Sequence, residues 1–115
     1  MGMQVIHDAF DGLEGALADL KTRGLYPTTY VVDQATEAGL HWHTEDVYGY
    51  ILEGESYALD EAGNRLDVKA GDLIIIPART LHAEGEIKER ATTIVGLPVA
   101  LKSDQFLLPR TPEEL

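Results

Sequence analysis

Apolar residues follow two different periods along the chain. Over residues 10–23, Phe10, Leu13, Leu17 and Leu20 recur at spacings of three and four, the single stripe of an amphipathic helix. Gly24 stands where a left-handed residue ends a helix, and Asp8 or Asp11 stands where an N-cap belongs. Beyond Pro27 the period shortens. Blocks at 28–33, 41–44, 47–52, 57–59, 65–68, 73–76, 81–84 and 91–97 are rich in β-branched and aromatic residues. Turn residues separate them, among them Glu53-Gly54, Ala62-Gly63-Asn64 and Ala70-Gly71-Asp72. Many short strands at close spacing predict a sandwich or a barrel and not a parallel α/β sheet. The tail, 102–115, holds Phe106, Leu107 and Leu108 before Pro109, then Thr111-Pro112-Glu113-Glu114. That last run has the signature of a helix start with no helix to follow. The apolar triplet is expected to fold back on the barrel or onto a partner chain.

Size and charge narrow the class. A chain of 115 residues supports one core, so a single domain over 1–115 is expected, with its barrel core at about 28–97. Nine basic residues against twenty acidic ones give a net charge of −11. Such a surface repels phosphate backbones and anionic membranes, which argues against nucleic acid and membrane partners. There is no cysteine, so disulfides, thiolate catalysis and Cys-ligated metal sites are excluded. No apolar run reaches the ~18 residues of a membrane span, and no secretory leader is evident. A cytoplasmic setting is expected.

The candidate chemistry lies in the histidines, of which there are four: His7, His41, His43 and His82. His41 and His43 are two apart in a strand-like segment, so both imidazoles share one face and suit two adjacent positions on one metal ion. His82 follows the apolar run Leu73–Ile76 and its turn at Pro77, a route by which a third imidazole can return to the same barrel. His7 has no partner in this pattern and reads as a surface residue. Trp42, between the two histidines, should face the other side of its strand, together with Tyr48 and Tyr50 on the next. That aromatic face and the apolar tail predict a homodimer.

At these residues the chain resembles the cupin superfamily. His41-Trp42-His43 and Gly54 match its first motif, and Gly71, Pro77 and His82 match its second in register. The resemblance covers most of 28–97 and implies an all-β cupin double-stranded β-helix, a jelly-roll barrel, with a short N-terminal helix. It also implies that His41, His43 and His82 are metal ligands. The chain departs from the family pattern at four places, one being the first motif's leading glycine, since Gly39 stands only two residues before His41. Counting back from Gly54, Val47 occupies the usual glutamate ligand position, Arg79 the second motif's later glycine, and Glu86 its asparagine. Glu45 and Asp46 are the nearest replacements for the missing carboxylate, although the turn after His43 gives them a solvated role as well. Val47 and Arg79 are the expected substrate-pocket residues, Arg79 either meeting an anionic substrate or pairing with a surface acid.

Three imidazoles without a carboxylate leave a site with formal charge +2 and open positions. Iron(II) is favoured as the metal, and zinc, nickel or copper also suit the ligands. The ligand set is similar to that of the three-histidine, diketone-cleaving cupin dioxygenases, which implies a small chelating substrate such as an enolate or diketone. Two other readings stay open: a non-catalytic small-molecule binding cupin, and a zinc-type isomerase or hydrolase using the metal as Lewis acid.

Overall fold

A computed structural model describes residues 2–101 and 107–115. The elements run β1 (Gln4–Ile6), α1 (Gly12–Thr22), β2 (Tyr26–Val32), β3 (Val47–Glu53), β4 (Glu55–Asp60), β5 (Arg65–Lys69), β6 (Leu73–Ile76), β7 (His82–Glu84) and β8 (Ala91–Leu97), with a 3-10 turn at Pro112–Glu114. All strand pairs are antiparallel. A five-stranded sheet in the order β1-β6-β3-β8-β2 faces a three-stranded sheet in the order β5-β4-β7. This is a β-sandwich, one of the two architectures expected from the strand spacing, and it agrees with the jelly roll that the resemblance implies. Among the described residues no helix is long and apolar enough to cross a membrane.

Strand parity divides the core in two. On β3, Val47 and Ile51 point between the sheets, where they pack with Ala58, Val68, Ile74, Ile76, Val95 and Leu97. Tyr50 on the same strand points the other way and joins Ala16, Leu20, Leu25, Leu73 and Ile94 beneath α1. Alternation on β3, β6 and β8 thus serves a sandwich interior on one face and the helix on the other. Gly54 closes β3 into β4 with φ +85°, and a Cβ there would strike the Arg90 carbonyl. Only glycine meets both demands.

The helix begins and ends close to the expected places. Asp11 is its N-cap but makes no side-chain cap bond, and Gly24 (φ +71°) follows the C-cap Arg23. Strand β1 had no signal of its own: three residues cannot display a period, and its pairing with β6 supplies the conformation.

The aromatic face is where the expectation fails. Trp42 is 4% exposed and Tyr50 fully buried, so these two rings do not form the open aromatic face expected of them. Alternation does turn these rings away from the sandwich interior, but other parts of the same chain cover them. Tyr50 meets Phe10 edge-on at 5.5 Å, and its hydroxyl donates to Asp19 Oδ2 at 2.8 Å. The Arg23 guanidinium lies 5.5 Å from the centroid of Tyr48. Trp42 lies under the C-terminal segment, its Nε1–H donating to the Thr111 carbonyl at 2.8 Å. Of the apolar tail, Phe106 lies outside the described residues. Leu107 packs against the inner core, and Leu108 is exposed.

Candidate metal centre

Two short strand pieces bring the three expected histidines together. His41 and His82 form an isolated antiparallel bridge, each backbone N–H donating to the other's carbonyl at 2.9 Å. Directly opposed residues share a face, and the two rings stand 4.5 Å apart between centroids. His43, two residues along, adds a third ring at 5.1 Å from His41 and 5.3 Å from His82.

The same period of two that joins His41 to His43 joins His82 to Glu84 on β7. Glu84 Oε2 is 2.8 Å from His41 Nε2, and Oε1 is 3.5 Å from His82 Nε2. One ligand atom from each of His41, His43, His82 and Glu84 falls within a set spanning no more than 4.8 Å. Ligand atoms ~2.0–2.2 Å from a common ion sit some ~3–4 Å apart, so small side-chain adjustments suffice. The sequence reading missed Glu84, because counting back from Gly54 looked for the carboxylate on β3. The H-x-E spacing at 82–84 was the available signal. The Val47 position is apolar as read, and its side chain belongs to the inner core. Asp46 accepts the Ala78 backbone N–H at 2.7 Å, bracing the turn after β6. Neither Asp46 nor Glu45 is in the cluster.

The outer nitrogens of the rings decide which lone pairs face inward. His41 Nδ1 is 2.7 Å from the Gly39 carbonyl, His82 Nδ1 2.8 Å from that of Thr80, and His43 Nδ1 3.4 Å from that of Leu108. A carbonyl only accepts, so each Nδ1 is the donor and a ring that is neutral turns an unprotonated Nε2 to the centre, whereas His41 Nε2 bonds Glu84 only while His41 is protonated. Among the described residues His82 Nε2 is buried without a hydrogen-bond partner, Glu84 Oε1 standing off at 3.5 Å. That orphaned nitrogen, together with two more imidazoles and a carboxylate, fits a divalent metal ion. Without an ion the cluster holds itself together by protonation. The Glu84 hydrogen bond raises the pKa of His41 against the opposing effect of burial, with the Gly39 carbonyl assisting. Burial, and then the neighbouring charge of His82, lowers that of His43. Burial works to raise the pKa of Glu84, but the hydrogen bond from His41 and the nearby His82 ring outweigh it and hold the carboxyl far below the ordinary range.

The remaining expected residues lie elsewhere. Arg79 is exposed, has φ +63°, and places its guanidinium 5.1 Å from the indole centroid of Trp42. Its backbone N–H donates to the His43 carbonyl at 2.9 Å. His7 is exposed as expected but not unpartnered, since Nδ1 is 3.0 Å from Asp72 Oδ2. A groove of about 1170 Å³ runs beside His7, Tyr57, Lys69 and Arg90 and shares no residue with the cluster.

Fold and site together define a small β-sandwich with a histidine-rich candidate metal centre. Residues 28–95 match the family model described as Cupin domain. The chain belongs to the cupin family. No curated protein matches the sequence significantly. Among solved structures the chain is similar to a DUF861 family protein from Thermotoga maritima, at 19% identity and TM-score 0.60 over 83% of this chain and 98% of that one. It is also similar to a DMSP lyase from Ruegeria pomeroyi, at 19% identity and TM-score 0.60, covering 78% of this chain and 44% of that one. A polyketide cyclase from Streptomyces resistomycificus aligns at 21% identity and TM-score 0.54 over 71% of this chain and 65% of that one. The chain therefore spans less than half of the lyase.

Proposed function

We propose that this protein is a mononuclear metal cupin that holds a divalent transition-metal ion through His41, His43, His82 and Glu84 and acts on a small substrate that chelates as an anion. The observation that carries this reading is His82 Nε2, buried without a partner at the point where the other three donors meet. An orphaned buried polar atom costs ~1–3 kcal/mol, which a bound ion offsets. Three nitrogens and one carboxylate oxygen suit iron(II), zinc, nickel and copper. When bound, the ion supplies Lewis acidity and, in the case of iron(II), the capacity to reduce dioxygen.

The chain's own contribution is to place and tune the donors. Two backbone carbonyls close in sequence fix the His41 and His82 rings, and burial keeps His43 neutral and able to ligate. Glu84 lowers the formal charge of the centre from the +2 of three imidazoles to +1, so a chelating anion is still attracted. Its side chain is 53% exposed, which makes it the open side of the centre, from which a substrate enters. The narrower form of the proposal is an iron(II) dioxygenase of an enolate-like substrate. A lyase and a cyclase share the fold, so the fold alone does not choose the reaction.

Elemental analysis of the purified protein and of His82→Ala tests the centre. About one ion per chain in the parent, lost in His82→Ala and kept in His7→Ala, is the expected result. A parent chain that takes up neither iron(II) nor zinc overturns it. An oxygen electrode trace with chelating candidates then decides the chemistry: iron-dependent uptake supports the dioxygenase, and turnover without uptake supports Lewis-acid catalysis.

A further inference from the structure

We infer that the C-terminal segment 107–115 is a working part of the metal centre, because it supplies the contact that orients His43; this rests on the metal-binding reading above. The three histidines differ in how they are held. His41 and His82 each meet a carbonyl two residues back in their own segment, Gly39 and Thr80. The equivalent carbonyl for His43 belongs to His41, and the His82 N–H already occupies it at 2.9 Å. His43 Nδ1 instead faces the Leu108 carbonyl, 65 residues away in sequence, at 3.4 Å. That distance is at the long end for an N–H···O bond, so its hold on the ring depends on how firmly the segment carrying Leu108 is anchored.

The segment is secured at that place from both sides. Trp42, between the two ligand histidines, exchanges two backbone bonds with Arg110, at 3.1 Å and 2.9 Å. The Trp42 indole donates to the Thr111 carbonyl at 2.8 Å. Thr111 and Glu114 close a capping box around the 3-10 turn. On the other side, Leu107 packs against the inner core at φ +54°, a left-handed conformation that a leucine keeps only where its surroundings impose it. The family match ends at residue 95, so this strap lies outside it.

The test removes one strap bond without touching a ligand. Arg110→Pro deletes the N–H that donates to the Trp42 carbonyl, whereas Arg110→Ala keeps that N–H and removes only the side chain. Zinc affinity, read by competition with a chromophoric chelator, should weaken about ten-fold or more in Arg110→Pro, as for loss of an outer-shell partner, and stay within two-fold in Arg110→Ala. Long-range 1H–15N correlation of the metal-free proteins gives an independent reading. In the parent and in Arg110→Ala, His43 should be the Nδ1–H tautomer. In Arg110→Pro it should become a mixture while His41 and His82 do not change. Retained tautomer and retained zinc affinity in Arg110→Pro overturn the inference and leave the metal site standing. A parent that binds no zinc fails the functional reading instead, and the tautomer measurement still decides the role of the strap.

Discussion

Asp72 is fully buried, and its carboxylate ties the N-terminus to the turn between β5 and β6. Oδ1 accepts the Asp8 backbone N–H at 3.2 Å, and Oδ2 accepts the Lys69 N–H at 3.0 Å and faces His7 Nδ1 at 3.0 Å. Asp72→Asn keeps the shape but leaves one oxygen for three donors. If that oxygen serves Asp8, the new amide points its own hydrogens at Lys69 N–H and His7. A hydrogen bond to a charged acceptor is worth ~1.5–3 kcal/mol, and a buried donor left unpaired costs ~1–3 kcal/mol. The exposed His7 side turns to water at little cost, so we expect about 3 kcal/mol in total at pH 7. For a chain of this size that is a fall of about 12 °C in Tm.

The pH dependence gives a second handle. Burial works to raise the Asp72 pKa, but the Lys69, His7 and Asp8 contacts prevail and hold it below the ordinary carboxylate value. A depressed folded-state pKa contributes stability that is complete above the unfolded value, ~3.9, and is lost as pH falls through the folded value. The penalty of Asp72→Asn should therefore be constant from pH 7 to about 5. Below ~3.9 it should shrink by about 1.4 kcal/mol per pH unit, until the parent Asp72 is itself protonated. Urea unfolding of both proteins from pH 7 to 3 measures this. A penalty under ~1 kcal/mol at pH 7, against the range given above, would refute the accounting, as would one that is undiminished at pH 3.

Glu84→Gln should keep three imidazoles and so retain an ion, with a dissociation constant raised about ten-fold or more, whereas His82→Ala should lose it; equal metal affinity in Glu84→Gln and parent would remove Glu84 from the centre. Val47→Glu should unfold the chain well below the parent temperature, because Val47 is 7% exposed among Ile51, Ile74 and Ile76 and a buried unpaired carboxylate costs ~3–5 kcal/mol. A stable Val47→Glu protein with tighter metal binding, by thermal scan and chelator competition, would instead place residue 47 beside the ion. Gly85→Ala should cost ~1–3 kcal/mol, since its Cβ would sit 2.5 Å from the Tyr57 ring; an unchanged Tm would show that the ring moves aside freely.

Local pattern was enough for much of this molecule. A stripe at three and four residues located α1, although Leu13 and Leu17 of that stripe are exposed and Ala16 and Leu20 are the buried pair; alternation defines which face of β3 and β6 is inward. Two histidines at a period of two share a face once their segment is extended. These are properties of backbone geometry, so they are legible one segment at a time. Tertiary structure decided what covers each outward face. Nothing local to Trp42 announces that Thr111 will accept its indole proton, or that α1 will close over Tyr50, and so an exposed aromatic patch was expected where there is none. Glu84 shows the same division. Its parity with His82 is local and could have been read, but its approach to His41 depends on the bridge between residues 41 and 82, a pairing across about a third of the chain. Burial and ligand convergence are sums over partners distant in sequence, and only the folded chain brings those partners together.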